Sequence, residues 1–137
     1  PLYTTLIAGA TAAKVSPALR VTDYRHAILN LIGSSGADLK VFVKGSLAKR
    51  GASSHYQDAP NFDIRSSARS LADPWDFVEV VDLEDGAAID GDDGVNLSGN
   101  IIRNVEINTN LFDFVAVEVT AVTAGSCTVV GLFTTNE

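Results

Sequence analysis

The stretch DFVAVEVTAVTAGSCTVVGLFTT, residues 113–135, decides the fold class of this chain. Its first half places Val115, Val117 and Val119 at every second position, the period of a β-strand with one buried face. A second apolar run follows the turn sequence Thr123-Ala124-Gly125. We therefore predict two strands joined as a hairpin.

A similar unit, RHAILNLIGSSGADLKVFVKGSL, occupies residues 25–47. We predict a first hairpin from about His26–Ile32 and Leu39–Leu47, with its turn at Gly33-Ser34-Ser35-Gly36. In its second strand the apolar residues at 39, 41, 43 and 47 share one face, and Lys40, Lys44 and Ser46 point the other way. This alternation is typical of a half-buried strand.

Further short strands are predicted along the rest of the chain. Leu2–Ala8 reads as an edge strand or an arm, Leu19–Thr22 as a short strand, and Ile101, Val105 and Ile107 mark another strand. An apolar row is expected from Trp75, Phe77, Val81 and Leu83. No segment shows a persuasive helical period. The pattern predicts an all-β protein, an antiparallel β-sandwich or jelly-roll-like barrel of about seven to nine strands.

The length of 137 residues fits a single β-sandwich domain, 1–137, whose residues 1–13 could extend from it as an N-terminal arm. Residues 48–73 form a long polar segment that either holds a short element near Phe62–Arg65 or packs on a partner, and we favour the partner. The chain carries no secretion signal and no apolar run long enough to cross a membrane, so synthesis in a cytoplasm is expected.

The charge of the chain bears on its partners. A net charge of −7 argues against an electrostatic nucleic-acid binder. Six of the ten basic residues lie between positions 40 and 69, and nine of the seventeen acids lie between 73 and 93. We interpret these blocks as solvated loops, with alignment of neighbouring subunits as the alternative.

The acidic stretch from Asp82 to Gly94 is the best candidate binding site. Clustered carboxylates could supply oxygen ligands to calcium. However, with Asp90 and Asp92 at positions one and three of an EF-hand loop, the required glycine at position six is Val95. Aspartates beside glycines are also common turn formers, and we favour that role.

The sequence contains few of the residue patterns that enzymes use for catalysis. His26 and His55 are the only histidines, no nucleophile elbow is present, and Cys127 lies in a predicted strand, which indicates a small buried residue. No phosphate-binding glycine loop precedes a helix. The sequence therefore predicts no enzyme, no catalytic residue, no metal ligand and no cofactor.

Aromatic residues are the feature that would support carbohydrate binding. Phe77, Phe114 and Phe133 fit the strand pattern and are expected in the core. Trp75 follows Asp73-Pro74, and we expect it to be partly buried rather than a sugar platform. A carbohydrate-binding module would instead need an exposed aromatic surface around Trp75, Tyr56 or Tyr24.

The chain resembles small structural proteins of tailed bacteriophages over approximately residues 20–134. The resemblance is carried by YRHAIL at 24–29, WDFVEVVDLEDG at 75–86, IDGDDGV at 89–95, EINTN at 106–110 and the run from Phe114 to Thr128. It implies a β-sandwich virion component, a capsid decoration (cement) protein that assembles as homotrimers on the shell and binds the major capsid protein. It provides no catalytic residues. The alternative hypothesis is a carbohydrate-binding or receptor-binding module of a fibre or tail.

Overall fold

The computed structural model describes residues 1–46, 75–99, 101–110 and 112–135, so Leu47, the 48–73 segment, His55 and Tyr56 lie outside the described residues. The described part contains β-strands and no helix, and thus no helix able to span a bilayer. In chain order the strands are β1 (Leu2–Ala10), β2 (Lys14–Val15), β3 (Leu19–Arg20), β4 (His26–Gly33), β5 (Asp38–Ser46), β6 (Trp75–Phe77), β7 (Val80–Asp82), β8 (Ala88–Ile89), β9 (Val95–Ser98), β10 (Ile102–Asn108), β11 (Phe114–Ala124) and β12 (Cys127–Thr134).

Two antiparallel sheets face each other, which confirms the predicted all-β sandwich. The first sheet, called sheet A, has the order β1-β12-β4-β10-β7-β8. The second, sheet B, has the order β2-β11-β5-β6, with β3 also paired to β11 and β9 to β5. β1 is the edge strand of sheet A, so the edge-strand interpretation of Leu2–Ala8 is confirmed. Strands β2, β3, β6, β7 and β8 are only two or three residues long, which is why the described chain holds more strands than the sequence indicated.

The two predicted hairpins are wrong. β4 lies in sheet A and β5 in sheet B, and likewise β11 lies in sheet B and β12 in sheet A. Each unit is therefore an arch that crosses from one sheet to the other. The arches lie side by side, because β4 pairs with β12 and β5 pairs with β11. An alternating pattern requires only one buried face, and an arch supplies that face as well as a hairpin does.

The turns of the two arches are bonded to each other. Ser34 N–H donates to the carbonyl oxygen of Ser126 at 3.0 Å, and Ser126 N–H donates to Ser34 Oγ at 2.9 Å. Gly125 has a φ of 74°, and a Cβ placed there would lie 2.6 Å from Ala37 Cα. The close approach of the arches therefore requires glycine at position 125.

The main core lies between the sheets and is fully apolar at its centre. Sheet A contributes buried residues from β4, β10 and β12, and sheet B contributes those of β5 and β11. Among them are Leu29, Leu31, Val105, Ile107, Phe133, Val41, Val43, Val117 and Val119. The expectation that residues 39, 41 and 43 point inward is confirmed.

The outer face of sheet B differs from expectation. Lys44 and Ser46 do point away from the main core, but each is only 1% exposed, so β5 is buried on both faces here. Lys44 Nζ lies 3.4 Å from Glu118 Oε1 and 5.0 Å from the centre of the Phe77 ring. Trp75, Phe114 and Ala116 form a second, smaller apolar cluster. The predicted half-buried strand is thus wrong at this end of β5.

The predicted apolar row through Trp75, Phe77, Val81 and Leu83 is also wrong. The chain leaves sheet B after β6 and enters sheet A at β7, so the alternation changes register between them. Of the four residues only Trp75 is buried, Phe77 and Val81 are half-buried and Leu83 is exposed, whereas Val78 and Val80 between them are buried. A change of sheet within six residues leaves no signal in the hydrophobic pattern alone.

Candidate functional site

The aspartates of the acidic stretch hold turns together. Asp82 Oδ1 accepts from Glu84 N–H at 2.9 Å, Asp85 Oδ1 from Ala87 N–H at 2.9 Å, and Asp90 Oδ1 from Asp92 N–H at 3.1 Å. In each case the carboxylate binds the backbone two residues ahead, which is the Asx-turn arrangement. The predicted turn-forming role is confirmed.

Asp82 also has a long-range partner that the sequence did not reveal. Its Oδ2 accepts from Arg103 Nη2, and Arg103 Nη1 donates to the carbonyl oxygen of Asn96 at 3.0 Å. The hydrogen bond from Arg103, followed by that from Glu84 N–H, lowers the pKa of Asp82 below its usual range. This partly buried ion pair links the start of the acidic stretch to β10 and β9.

Three carboxylates of the acidic stretch bind backbone N–H groups, and they do not converge on one point. Within residues 1–46, 75–99, 101–110 and 112–135, no group of three or more His, Cys, Asp or Glu side chains is arranged to hold a metal ion. In Asp82, Asp85 and Asp90, one carboxylate oxygen already accepts a hydrogen bond from a backbone N–H. The acidic stretch therefore offers turn geometry rather than a converging set of ligands.

Cys127 and His26 occupy different environments. Cys127 is fully buried, and desolvation raises the pKa of its thiol to about 11, so the nucleophilic thiolate is disfavoured. The predicted burial of Cys127 is confirmed. His26 Nε2 lies 2.8 Å from Glu106 Oε2 on the outside of sheet A.

Two aromatic residues considered for carbohydrate binding, Trp75 and Tyr24, differ in how deeply they are buried. Trp75 is 2% exposed and belongs to the second apolar cluster, which confirms the expectation of a packing role. Tyr24 is half-buried, and its ring centre lies 6.0 Å from that of Phe133. Tyr24 also lines a cleft, and Tyr56 lies outside the described residues.

The cleft has a volume of about 670 Å³ and lies at the end of the sandwich where β3 leads to β4 and β10 leads to β11. Its lining combines carboxylate, guanidinium, amide, hydroxyl and aromatic groups, from Asp23, Tyr24, Arg25, Thr109, Asn110 and Asp113 among others. A smaller neighbouring cleft shares Arg25 and Asn110 and adds His26 and Glu106. Such a mixture of donors and acceptors around the aromatic rings of Tyr24 and Phe112 suits a polar ligand.

Backbone hydrogen bonds hold the walls of the cleft together. Arg25 N–H donates to Thr134 O at 3.0 Å, Thr109 N–H to Arg25 O at 3.1 Å, and Val21 N–H to Asp113 O at 2.8 Å. Asn108 Oδ1 accepts from Asn110 N–H at 2.9 Å, which confirms the turn predicted at 108–110. The segments from β3, β10 and β12 therefore meet in one fixed arrangement.

Thr109 and Asp113 were not singled out by the sequence. Each is 1% exposed, and Thr109 Oγ1 has no hydrogen-bond partner among the described residues. The available sequence signal was the position of these two polar residues in the short segment that leads to β11. That signal was weak, because threonine and aspartate are ordinary turn residues.

Comparison with known proteins gives one structural relative. No protein-family model matches the chain, and a search of curated proteins gives no significant match. Among solved structures, the chain is similar to the crystal structure of SPBc2 prophage-derived protein YomS, with a TM-score of 0.66. The two chains are 14% identical, and the match covers 96% of this chain and 90% of that chain. The similarity shows a shared fold across almost the whole chain.

Proposed function

We propose that this chain is a non-enzymatic structural protein of a bacteriophage virion. The observation that carries the proposal is the fold-wide similarity to a prophage-derived protein. In finer detail, we assign it the role of a capsid decoration (cement) protein, made in the host cytoplasm and placed on the capsid surface. It assembles there as a homotrimer in contact with the major capsid protein.

The physical basis of a cement protein is surface burial rather than chemistry. A shell subunit gains stability when a rigid module covers the junction between it and its neighbour, and a specific contact of this kind buries about 1,000 Å² or more. The sandwich has a continuous apolar core, and its two arches are hydrogen-bonded to each other. It displays polar turns and one edge strand around that core.

Purified phage particles test this proposal directly. The chain should occur in intact particles at a fixed ratio to the major capsid protein, measured by quantitative mass spectrometry. Particles lacking the chain should release their genome at lower temperature than complete particles. Absence of the chain from purified particles would refute the proposal.

The cleft favours a second candidate function, a carbohydrate-binding or receptor-binding module of a fibre or tail. Its support is the cluster of Tyr24, Asp23, Arg25 and Asn110, since planar polar groups beside an aromatic ring suit the hydroxyls of a sugar. Because Trp75 is buried, its fluorescence is a poor reporter of sugar stacking.

Ligand-detected NMR against host surface polysaccharide is a suitable test of this second function. Asn110→Ala should abolish the signal, and Asn96→Ala, which removes an exposed asparagine from β9 away from the cleft, should preserve it. Equal binding by the two variants would remove the cleft from consideration.

A further inference from the structure

The outer face of sheet A, meaning the face turned away from sheet B, carries unusual apolar exposure. Among the described residues, three large apolar side chains are exposed: Tyr3 at 74%, Ile102 at 62% and Leu83 at 43%. Tyr3 lies in β1, Ile102 in β10, and Leu83 directly follows β7, where its N–H donates to Asn104 O. Tyr3 and Ile102 lie on strands of sheet A, Leu83 extends β7 by one residue, and the pairing register places all three on the outer face.

Strand register shows that these side chains belong to one continuous surface. One row across the sheet runs through Tyr3, Leu132, Ile28, Glu106 and Val81, each paired with the next. A parallel row runs through Thr128, Ile32 and Ile102. Half of the outward residues of β4 and β12 are thus large and aliphatic, where a solvated face would carry polar side chains.

The outer face of sheet A is also nearly neutral, although the whole chain carries a net charge of −7. Along β1, β12, β4, β10 and β7 the charge-bearing residues that point outward are His26 and Glu106, diagonal neighbours whose Nε2 and Oε2 atoms lie 2.8 Å apart. The exposed acidic residues Glu84 and Asp85 lie in the turn beyond β7, at the margin of this face. Two copies of an acidic chain repel each other through most of their surfaces. They meet least repulsion through this face.

The size of the face is sufficient for association. Five strands about 4.8 Å apart and about seven residues long give a projected area of about 550 Å². A pair of such faces would bury about 1,100 Å², which exceeds the roughly 1,000 Å² expected of a specific interface. About half of this area is apolar, and large apolar side chains gathered on one exposed face mark interaction sites.

We infer that the outer face of sheet A is the surface through which copies of this chain associate with one another. The occupant is a second copy, because the face combines aliphatic surface with near neutrality in a chain whose remaining charge opposes self-association. The inference goes beyond the proposed function, because two copies that meet through the same face form a two-fold pair, an association separate from the proposed homotrimer. The opposite side of the sandwich differs, since Lys44, Trp75 and Phe114 are buried there.

Sedimentation velocity on the full chain across a concentration series tests the inference. The wild-type chain should be oligomeric, and Ile102→Asp should weaken association by at least about 100-fold, because like charges brought together at an interface cost several kcal/mol. Ile102 is largely exposed, so the variant should fold normally, as circular dichroism would verify. Added salt should preserve or tighten association by screening the repulsion between chains.

A matched pair of substitutions provides the control. Asn104→Asp adds one charge on the outer face and keeps the oxygen that accepts from Asn30 Nδ2 at 2.7 Å. Asn96→Asp adds the same charge on an exposed position of β9 in sheet B. The first should weaken association by at least about tenfold, and the second should leave it unchanged. Hydroxyl-radical footprinting should show Tyr3 protected in the wild type and reactive in Ile102→Asp.

A monomeric wild-type chain at every concentration would overturn the inference, as would an oligomer indifferent to both Ile102→Asp and Asn104→Asp. Failure here differs from failure of the proposed function. A monomer that is nevertheless present in purified particles would leave the virion role standing and assign the face to the shell. An oligomer that is absent from purified particles would support association through this face and refute the virion role.

Discussion

Replacing Gly125 by alanine tests whether the two arches pack as the structure shows. Gly125 has a φ of 74°, and an added Cβ would lie 2.6 Å from Ala37 Cα and 2.9 Å from both Ala37 N and Ser34 Oγ. Two of these atoms belong to the backbone, so the contact cannot be relieved by turning a side chain. Ser34 Oγ is itself fixed by the hydrogen bond from Ser126 N–H.

Gly36 is the matched control for this substitution. Its φ of 73° is nearly the same, but a Cβ there would meet nothing within 4 Å. Gly36→Ala should therefore cost about 1 kcal/mol, the left-handed backbone penalty less the entropy lost by the unfolded chain. Gly125→Ala adds a steric clash of about 1–3 kcal/mol, for a total of about 2–4 kcal/mol.

Urea denaturation followed by the fluorescence of Trp75, the single tryptophan, gives the free energy of unfolding of each variant. Far-ultraviolet circular dichroism should show the same strand content in both variants. If the two substitutions cost the same within about 0.5 kcal/mol, the close approach of Gly125 to Ala37 is refuted. A chain built from two separate hairpins would give that equality.

Other predictions concern the ion pair, the thiol and the acidic turns. Asp82→Asn should destabilise the fold by about 1–3 kcal/mol through loss of a charged hydrogen bond with Arg103, whereas Asp85→Asn should cost less, since Asp85 is exposed. Because the pKa of Asp82 is lowered in the folded state, its contribution is present above the unfolded pKa and disappears as the pH falls through the folded pKa. Acid denaturation curves of wild type and Asp82→Asn should accordingly converge below about pH 4, and parallel curves would contradict this. Cys127 should react with a thiol reagent at the rate of global unfolding, and rapid labelling of the native chain would show that its burial is wrong. Calcium and chelator should leave the melting temperature unchanged, since the aspartates bind backbone N–H groups; a rise with calcium would reveal ligands.

Local patterns in the sequence predict some of the strands and turns of this protein. The period of two in residues 114–119 predicts a strand because alternate side chains of an extended chain point to opposite sides. The aspartates of the acidic stretch predict turns because a short carboxylate reaches the N–H two residues ahead. Both inferences depend only on residues adjacent in the chain, and the strand and the turns are confirmed. The expectation of one buried and one exposed face is wrong for residues 114–119, because β11 is buried on both faces there.

Contacts between residues far apart in the chain could not be predicted from local sequence patterns. The cleft exists because Arg25, Thr109 and Asp113 come from loops separated by about 85 residues, joined only when their strands pair. Arg103 lies 21 residues from Asp82 and showed no signal of that partnership. The buried state of Lys44 likewise depends on the neighbours of β5 rather than on its own alternation.

The sequence by itself determined that this protein is made of antiparallel strands, that Cys127 is buried, and that glycine and aspartate shape its turns. Only the tertiary structure decided that the units at 26–46 and 114–134 are arches between sheets, and that Tyr3, Leu83 and Ile102 are exposed on one side of sheet A. The reason is physical. A period of two specifies that one side of a strand is buried, but which sheet the strand joins, and what covers its other side, depends on pairing with strands far away in the chain.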